Sequence, residues 1–309
     1  MSGTSPSSSK STPPSRREVP PGELLALPQL SGEELSSLAR LESACLSSDG
    51  GRLKLEWPAL RNRRPGETSD FAYVVAGELI GFVGLYQWRS IALELCGMVH
   101  PSWRRRGVGS LLYEAAAAEI ARRQPASALM VVERAFTSGR RFASARGGRL
   151  AHSEHRMRQS TEPERRPRLQ VVRLRRAGRP DAAFVVDCLA AAFEEEPRVL
   201  DLGDGQAVDQ VLEGTVVIED PTRATKVGVV RVEREGGVAS IYGFAVLPAL
   251  QGRGYGRAAL CALTRRLRRS GVGVVSLEVL SSNDGALHLY ESCGFEVIGT
   301  EDYYSMPIG

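Results

Sequence analysis

The sequence predicts an α/β chain built from two tandem copies of one domain. Its 309 residues suit two domains at roughly 100–200 residues each. Two segments repeat: residues 98–109 read MVHPSWRRRGVG and residues 245–256 read AVLPALQGRGYG. Pro101 aligns with Pro248, Arg104 with Gln251, Gly107 with Gly254 and Gly109 with Gly256, each at a shift of 147 residues. A period of half the chain marks repeated whole domains, not solenoid units. The flanks repeat as well, in the order strand, glycine loop, helix, strand.

Taken in order, residues 1–21 are expected to be a disordered lead-in. They are rich in Ser and Pro and lack the apolar segment of a signal peptide. The N-terminal domain is placed at 22–158, a linker at 159–168 and the C-terminal domain at 169–309. The linker reads QSTEPERRPR, with two prolines and many charges. Before each loop, residues 91–99 and 238–246 are apolar and strand-like. After each loop, residues 108–123 and 255–269 show helical spacing, with Leu111, Leu112 and Ala115 in the first and Leu260, Leu263 and Leu267 in the second. Second strands are expected at 128–132 and 272–279. In the C-terminal half a short helix (286–292) and a strand pair (295–300 and 302–307) close the unit. Its first strand is placed at 169–174, followed by a helix at 181–195 with Asp181 as cap candidate.

Composition narrows the class. The chain is 42% hydrophobic and 25% charged, ordinary for a globular protein. It has no apolar run of about 18 residues, so no membrane-spanning helix is expected. The five cysteines, at 45, 96, 188, 261 and 293, are odd in number and form no Cys-x-x-Cys. This argues against a disulfide framework or a cysteine zinc site and suggests a reducing cytoplasm. His152 and His155 lie three apart without a suitable third ligand nearby, so no metal is assigned. The net charge of +4 is uneven: residues 1–160 hold 22 Lys and Arg against 15 Asp and Glu, and residues 161–309 hold 18 against 21. The basic half could touch nucleic acid through Arg104–Arg106 and Arg140–Arg141. No helix-turn-helix, zinc-finger or aromatic-basic signature accompanies it, so no nucleic-acid partner is expected.

The glycine loops are the chemical signal. Glycine lets a ligand approach the main chain. The unbonded amides and positive dipole end of the following helix favour phosphate. Arg104, Arg105 and Arg106 add charge to the first loop, and Arg253 and Arg257 to the second. Neither loop carries the spacing of a dinucleotide fingerprint or the Gly-Lys-Ser/Thr of a Walker loop.

These residues resemble the GNAT superfamily of acetyl-CoA-dependent N-acetyltransferases. The superfamily's pyrophosphate motif, Gln/Arg-x-x-Gly-x-Gly/Ala, matches residues 104–109 and 251–256. The C-terminal half also carries LEVLSSN at 277–283, Ala286, and LYESCGF at 289–295. The two-domain arrangement is similar to mycothiol synthase. The C-terminal signature is similar to protein N-terminal alanine acetyltransferases. The resemblance covers nearly all of residues 24–307. It implies two tandem acyl-CoA N-acyltransferase domains, each a twisted mixed sheet flanked by helices and splayed between its fourth and fifth strands. Acetyl-CoA would lie in the splay as cosubstrate. Phe244, Ala245 and Val246 would pair with its pantetheine arm. Gln251, Gly252, Arg253, Gly254, Tyr255, Gly256 and Arg257 would surround its pyrophosphate, and Asn283 would touch the arm or brace the strand ends. Val99, Arg104, Arg105, Arg106, Gly107, Val108 and Gly109 hold the equivalent positions in the first half.

By the same resemblance, Tyr290 occupies the position of the acid that protonates the leaving thiolate. Glu278, twelve residues earlier, occupies the position of the base that takes the amine proton. A Tyr at its ordinary pKa is protonated at neutral pH and can donate. Packed aromatic and strand-end carboxylate are the structural alternatives for the two. The halves differ. Glu94 in the first stands where the second has Ile241, and the region matching Tyr290 offers Phe142 or Ser144, neither suited to donate a proton. The expectation is therefore a catalytic C-terminal domain and a degenerate N-terminal one, in a monomer with pseudo-dimeric domains or a homodimer. The acceptor is an amine, on a small molecule or a peptide N-terminus. Glu194–Glu196, Glu301, Asp302, Tyr303 and Tyr304 are candidates to line its site. The alternative is a CoA-binding regulatory protein without turnover.

Overall fold

The computed structural model describes residues 19–64, 66–87, 92–162, 170–193 and 205–308. The expected lead-in falls outside the described residues up to position 18. Glu194–Glu196 and most of the expected linker also lie outside them. The described chain forms two compact units, and each contains one of the repeats.

Unit 1 comprises residues up to Ala151 together with Tyr303–Gly309. It runs β1 (Glu23–Leu27), α1 (Gly32–Asp49), α2 (Trp57–Arg61), β2 (Asp70–Val75), β3 (Glu78–Tyr86), β4 (Ala92–Val99), α3 (Val108–Arg123), β5 (Ser127–Glu133), α4 (Thr137–Ala145) and the start of β6 (Arg149–Gln159). Strands β1 to β4 form an antiparallel meander and β5 joins β4 in parallel. The mixed sheet has a helix on each face because its strands alternate. On β4, Leu93 and Leu95 meet the core built on Val108, Leu112, Ala116 and Ile120 of α3. Cys96 and Met98 meet Leu38, Leu41 and Cys45 of α1. A reciprocal capping box fixes the start of α1: Ser31 Oγ accepts from Glu34 N at 3.2 Å and Glu34 Oε2 accepts from Ser31 N at 2.7 Å.

Unit 2 comprises His152–Asp302. After the end of β6 it runs β7 (Arg173–Arg176), α5 (Ala182–Phe193), α6 (Gly205–Leu212), β8 (Thr215–Asp220), β9 (Thr225–Glu235), β10 (Val238–Val246), α7 (Tyr255–Arg269), β11 (Val274–Leu280), α8 (Asp284–Glu291) and β12 (Phe295–Ser305). Strands β7 to β10 form the meander, β11 joins β10 in parallel, and β6 pairs antiparallel with β11. Leu260, Leu263 and Leu267 of α7 are buried in one core. Val185 and Cys188 of α5 lie in the core of the other face.

Several sequence expectations shift here. The units divide at 151/152 and 302/303, not within 159–168. Burial explains the shift: Met157 is fully enclosed in a unit 2 core, while Tyr304 and Met306 complete a unit 1 core. Each unit is thus finished by chain from the other half. The expected strand pair 295–300 and 302–307 is one continuous strand, β12. Asp181 does not simply cap a helix. It ends a short 3-10 turn (Arg179–Asp181), accepts from Gly178 N at 2.9 Å and is gripped by Arg175 at 2.6 and 2.8 Å. Lys226 lies 2.6 Å away on its other side.

Candidate active site

In unit 2 the candidate site is a fork between parallel strands. β10 pairs with β11 only from Val238↔Val274 to Ile241↔Leu277. Beyond that pair β10 continues to Val246 and β11 to Leu280 without each other. A bulge accompanies the divergence. The register against β9 jumps between Tyr242↔Arg231 and Ala245↔Val229, with Gly243 at φ +51°. One extra residue bends and twists a strand, which carries this end of β10 away from β11. The fork leaves the inner backbone edge of residues 243–246 without a pairing strand among the described residues. Such an edge must find other hydrogen-bond partners. Phe244 and Val246 are half-buried beside it, while Ala245 points into the core beneath.

The glycine loop starts where β10 ends. A 3-10 turn, Pro248–Leu250, leads to Gly252 (φ +71°) and Gly254 (φ +87°), where α7 begins. The first intrahelical bond shown runs from Ala258 N to Gly254 O at 3.1 Å, so the amides of the first turn lack helical acceptors. A Cβ on Gly252 would meet nothing within 4 Å, so the loop backbone is open to approach.

The side chains named for this loop separate into two groups. Gly252, Arg253 and Gly254 are exposed along the loop. Gln251 turns back, and its Nε2 donates to Val246 O at 3.0 Å. Tyr255 is fully buried, with its hydroxyl on Asp220 Oδ2 at 2.5 Å. Arg257 is also buried and donates to Ser292 Oγ. For Gln251, Tyr255 and Arg257 the expected phosphate contact is therefore corrected. The Tyr255 and Arg257 side chains anchor the loop to the core, the exposed Gln251 ties it to the end of β10, and their backbone, with Gly256, stays available at the helix start. A helix face packed on a sheet directs side chains inward, and the residue type alone does not reveal that.

Tyr290 comes from α8. Its ring packs between Phe244 and Phe295, with centroids 6.4 and 6.1 Å apart. Burial, helped by Cys293, pushes its hydroxyl up to about 12, so it holds its proton across the neutral range. Glu278 is the first β11 residue past the last pair with β10, and it stands opposite Arg156 of β6. Its side chain is half-buried, unlike the enclosed Leu277 and Val279 on either side. The fork thus brings Phe244 and Tyr290 together and puts Glu278 at its apex. Asn283 caps α8: its Oδ1 accepts from Ala286 N at 3.0 Å.

Unit 1 repeats the frame with other side chains. Its β4–β5 pairing also stops early, at Leu95↔Met130, but the β3–β4 register carries no bulge. Strands β5 and β11, and helices α4 and α8, begin at the 147-residue shift. The position of Tyr290 therefore falls on Ala143, fully enclosed, and not on the expected Phe142 or Ser144. By the same shift Glu278 corresponds to the buried Val131 and Asn283 to Phe136. Arg104 is drawn off the loop, donating to Val99 O at 2.9 Å and pairing with both oxygens of Asp49 at 2.8 and 2.7 Å. Arg105 is exposed at φ +62°, and Arg106 sits 5.0 Å over the Trp103 ring. Val108 is buried in the core, and Gly109 faces Phe142 and Val99. Val19 lies so close that a Cβ on Gly107 would come within 2.8 Å of it. Glu94 is 3.8 Å from Lys54, which also donates to the Tyr303 hydroxyl.

The acceptor candidates are likewise engaged. Glu301 is buried 3.3 Å from Arg156, and Asp302 is buried and accepts from Ser153 at 2.8 Å. Tyr303 and Tyr304 belong to unit 1, not to the unit holding Tyr290. His155 is bonded to Thr300 Oγ1 at 2.9 Å. Among the described residues no group of three His, Cys, Asp or Glu is arranged to hold a metal. No helix among them is long and apolar enough to cross a membrane.

A forked sheet opening onto a glycine loop, present twice, is the acyl-CoA N-acyltransferase fold. A profile of the Acetyltransferase (GNAT) family matches residues 182–295, and a profile of an Acetyltransferase (GNAT) domain matches residues 69–145. The chain belongs to the GNAT acetyltransferases and carries two such domains in tandem. It is 42% identical over 72 residues to the [ribosomal protein bS18]-alanine N-acetyltransferase of Haemophilus ducreyi, covering 23% of this chain and 50% of that one. The matched stretch is thus half of that relative's length. Over 86% of this chain and 92% of the relative, it is 27% identical to the mycothiol acetyltransferase of Nocardia farcinica. A GCN5-related N-acetyltransferase from Sphaerobacter thermophilus superposes with a TM-score of 0.78 at 22% identity, over 96% of this chain and 97% of that one. At that identity the likeness concerns the fold.

Proposed function

We propose that the protein is an acetyl-CoA-dependent N-acetyltransferase whose C-terminal unit transfers acetyl to a primary amine by direct attack. The observation that carries this reading is the fork. Past Ile241↔Leu277 it joins a stretch of β10 that has left β11, an open loop of helix-start amides, a protonated Tyr and a half-buried Glu in one unit. The residues fit the cosubstrate. The loop amides of 252–257 suit its phosphates, and the edge of Phe244, Ala245 and Val246 suits a polar arm laid along β10. Bound there, the thioester supplies an activated acyl group with a thiolate as leaving group. Tyr290 holds a proton at its hydroxyl for that sulfur, and Glu278 offers a carboxylate for the proton of the acceptor amine. Phe244 and Phe295 pack against the Tyr290 ring and keep it in place.

The N-terminal unit is proposed to be non-catalytic. Val131 and Ala143 can neither accept nor donate a proton, and Val19 covers the loop glycine. The acceptor is an amine of a small molecule or a peptide. The two kinds of relative, acting on a protein alanine and in mycothiol acetylation, give the first panel to test. The assay follows free CoA thiol released from acetyl-CoA with each amine. Amine-dependent release that vanishes in Tyr290→Phe supports the reading. Binding of acetyl-CoA with no release for any amine favours a regulatory CoA-binding protein instead.

A further inference from the structure

The burial of Arg257 leaves a question of charge at the loop. Its guanidinium lies under α7 on Ser292, so of the two arginines within the motif only Arg253 faces outward. The turn between β8 and β9 brings another cation to the same place. Asp220, the last residue of β8, organises that turn. Its Oδ1 accepts from Thr222 N at 2.8 Å, Thr222 Oγ1 at 2.6 Å and Arg223 N at 3.2 Å. Its Oδ2 accepts from the hydroxyl of Tyr255, the first residue of α7, at 2.5 Å. Arg223 then reaches across, and its Nη1 donates to that hydroxyl at 2.9 Å. The guanidinium is therefore tethered by one nitrogen to the side chain of the first residue of α7, while its own side chain remains 59% exposed.

A cation at this end of a helix opposes the helix dipole. Asp220 offsets part of that cost, and its carboxyl is held below the usual range by Thr222 and Tyr255. An anion between Arg223 and the loop amides would complete the balance. Arginine suits this role, since its planar fork leaves further donors for phosphate oxygens after one is used. Among the described residues unit 1 shows no counterpart of this arrangement. Its β2–β3 turn is the two-residue Ala76–Gly77, and its α3 begins with the core residue Val108.

We infer that Arg223, positioned by Tyr255 and Asp220, is a phosphate-binding residue of the C-terminal cosubstrate site. The inference rests on the proposed acetyl-CoA site and adds a residue outside its motif. The ligand chemistry is a CoA phosphate, either the diphosphate or the 3′-phosphate.

The test is calorimetric titration of the full-length protein, and of Arg223→Gln and Arg223→Lys, with CoA and with dephospho-CoA. Gln retains an amide N–H and removes the charge together with the remaining guanidinium donors. Arg223→Gln is expected to weaken CoA binding about tenfold, the scale of one charge-assisted hydrogen bond, and Lys to restore part of the loss. Loss confined to CoA assigns the contact to the 3′-phosphate. Equal loss for both ligands assigns it to the diphosphate. Unchanged binding by Arg223→Gln overturns the inference while leaving the proposed function intact. Absence of CoA binding by the wild-type protein overturns both. A thermal melt of Arg223→Gln that matches wild type shows that the lost affinity is not lost folding.

Discussion

Replacing Tyr290 by Phe removes one oxygen and keeps the ring. The ring contacts with Phe244 and Phe295 survive. No hydrogen bond to the hydroxyl is seen among the described residues, so no buried partner is orphaned by the change. Stability should then stay within about 0.5 kcal/mol of wild type, or roughly 1–2 °C in Tm for a unit of this size. Catalysis should respond differently. Burial sets the hydroxyl at about 12, so at neutral pH it is protonated in essentially every molecule and available as a donor. Losing a positioned acid costs about 10²-fold or more, equivalent to roughly 2.7 kcal/mol in the barrier. The assay is thiol release at saturating acetyl-CoA, run beside a melting curve. Tyr290→Phe should lower kcat about a hundredfold at nearly unchanged Tm. A variant with full activity would refute the acid assignment. A rate loss matched by a fall of many degrees in Tm would make Tyr290 a packing residue.

Glu278→Gln keeps the size of the side chain and removes the base. It should lower kcat about tenfold or more and erase the acid limb of the kcat/KM profile; an unchanged limb would assign the base elsewhere. Gly228 of β9 lies under the bulge, where an added Cβ would press into Ala245 O and come within 3.1 Å of Val246 Cα. Both obstacles are backbone, so Gly228→Ala should cost about 2–3 kcal/mol, near 5–10 °C in Tm, and should weaken acetyl-CoA binding. An unaltered melt would contradict it. Asp181 is held well below the ordinary carboxylate range, chiefly by Arg175. Its ionised form therefore stabilises the fold fully above about pH 4, the unfolded value, and this is lost as pH falls toward the depressed folded value. Asp181→Asn should lower stability at neutral pH and flatten the acid side of the stability curve. A parallel curve would exclude the linkage.

Much of this architecture is legible in local sequence. The repeat of Pro101 and Pro248, and of the loop glycines after them, marks two units. The helices after the loops begin and end where the apolar spacing places them, at Val108–Arg123 and Tyr255–Arg269. The asymmetry of the halves at Tyr290 is legible too, but its counterpart is Ala143 and not Phe142 or Ser144, because α4 and α8 begin at the same shift. These features depend on neighbours a few residues apart, through helical period, turn glycines and strand alternation.

The tertiary structure decides the rest. Whether residues 152–159 and 303–308 finish their own unit or the other one depends on sheet pairing over more than a hundred residues. Met157, buried in the core of unit 2, and Met306, buried in the core of unit 1, record the outcome. No local pattern encodes a choice between two nearly equivalent sheets. The direction of a charged side chain is similarly global. Arg257 and Arg223 are both arginines near a glycine loop, one inside the motif and one thirty-four residues before it. Packing of α7 on the sheet turns the first inward to Ser292, and the Asp220 turn holds the second at the helix start. The sequence by itself determines two units, their loops and the positions of Tyr290 and Glu278, the proposed reacting pair. Only the folded chain determines which strands complete each unit and which arginines stay exposed near the glycine loop, because both are settled by contacts between residues distant in sequence.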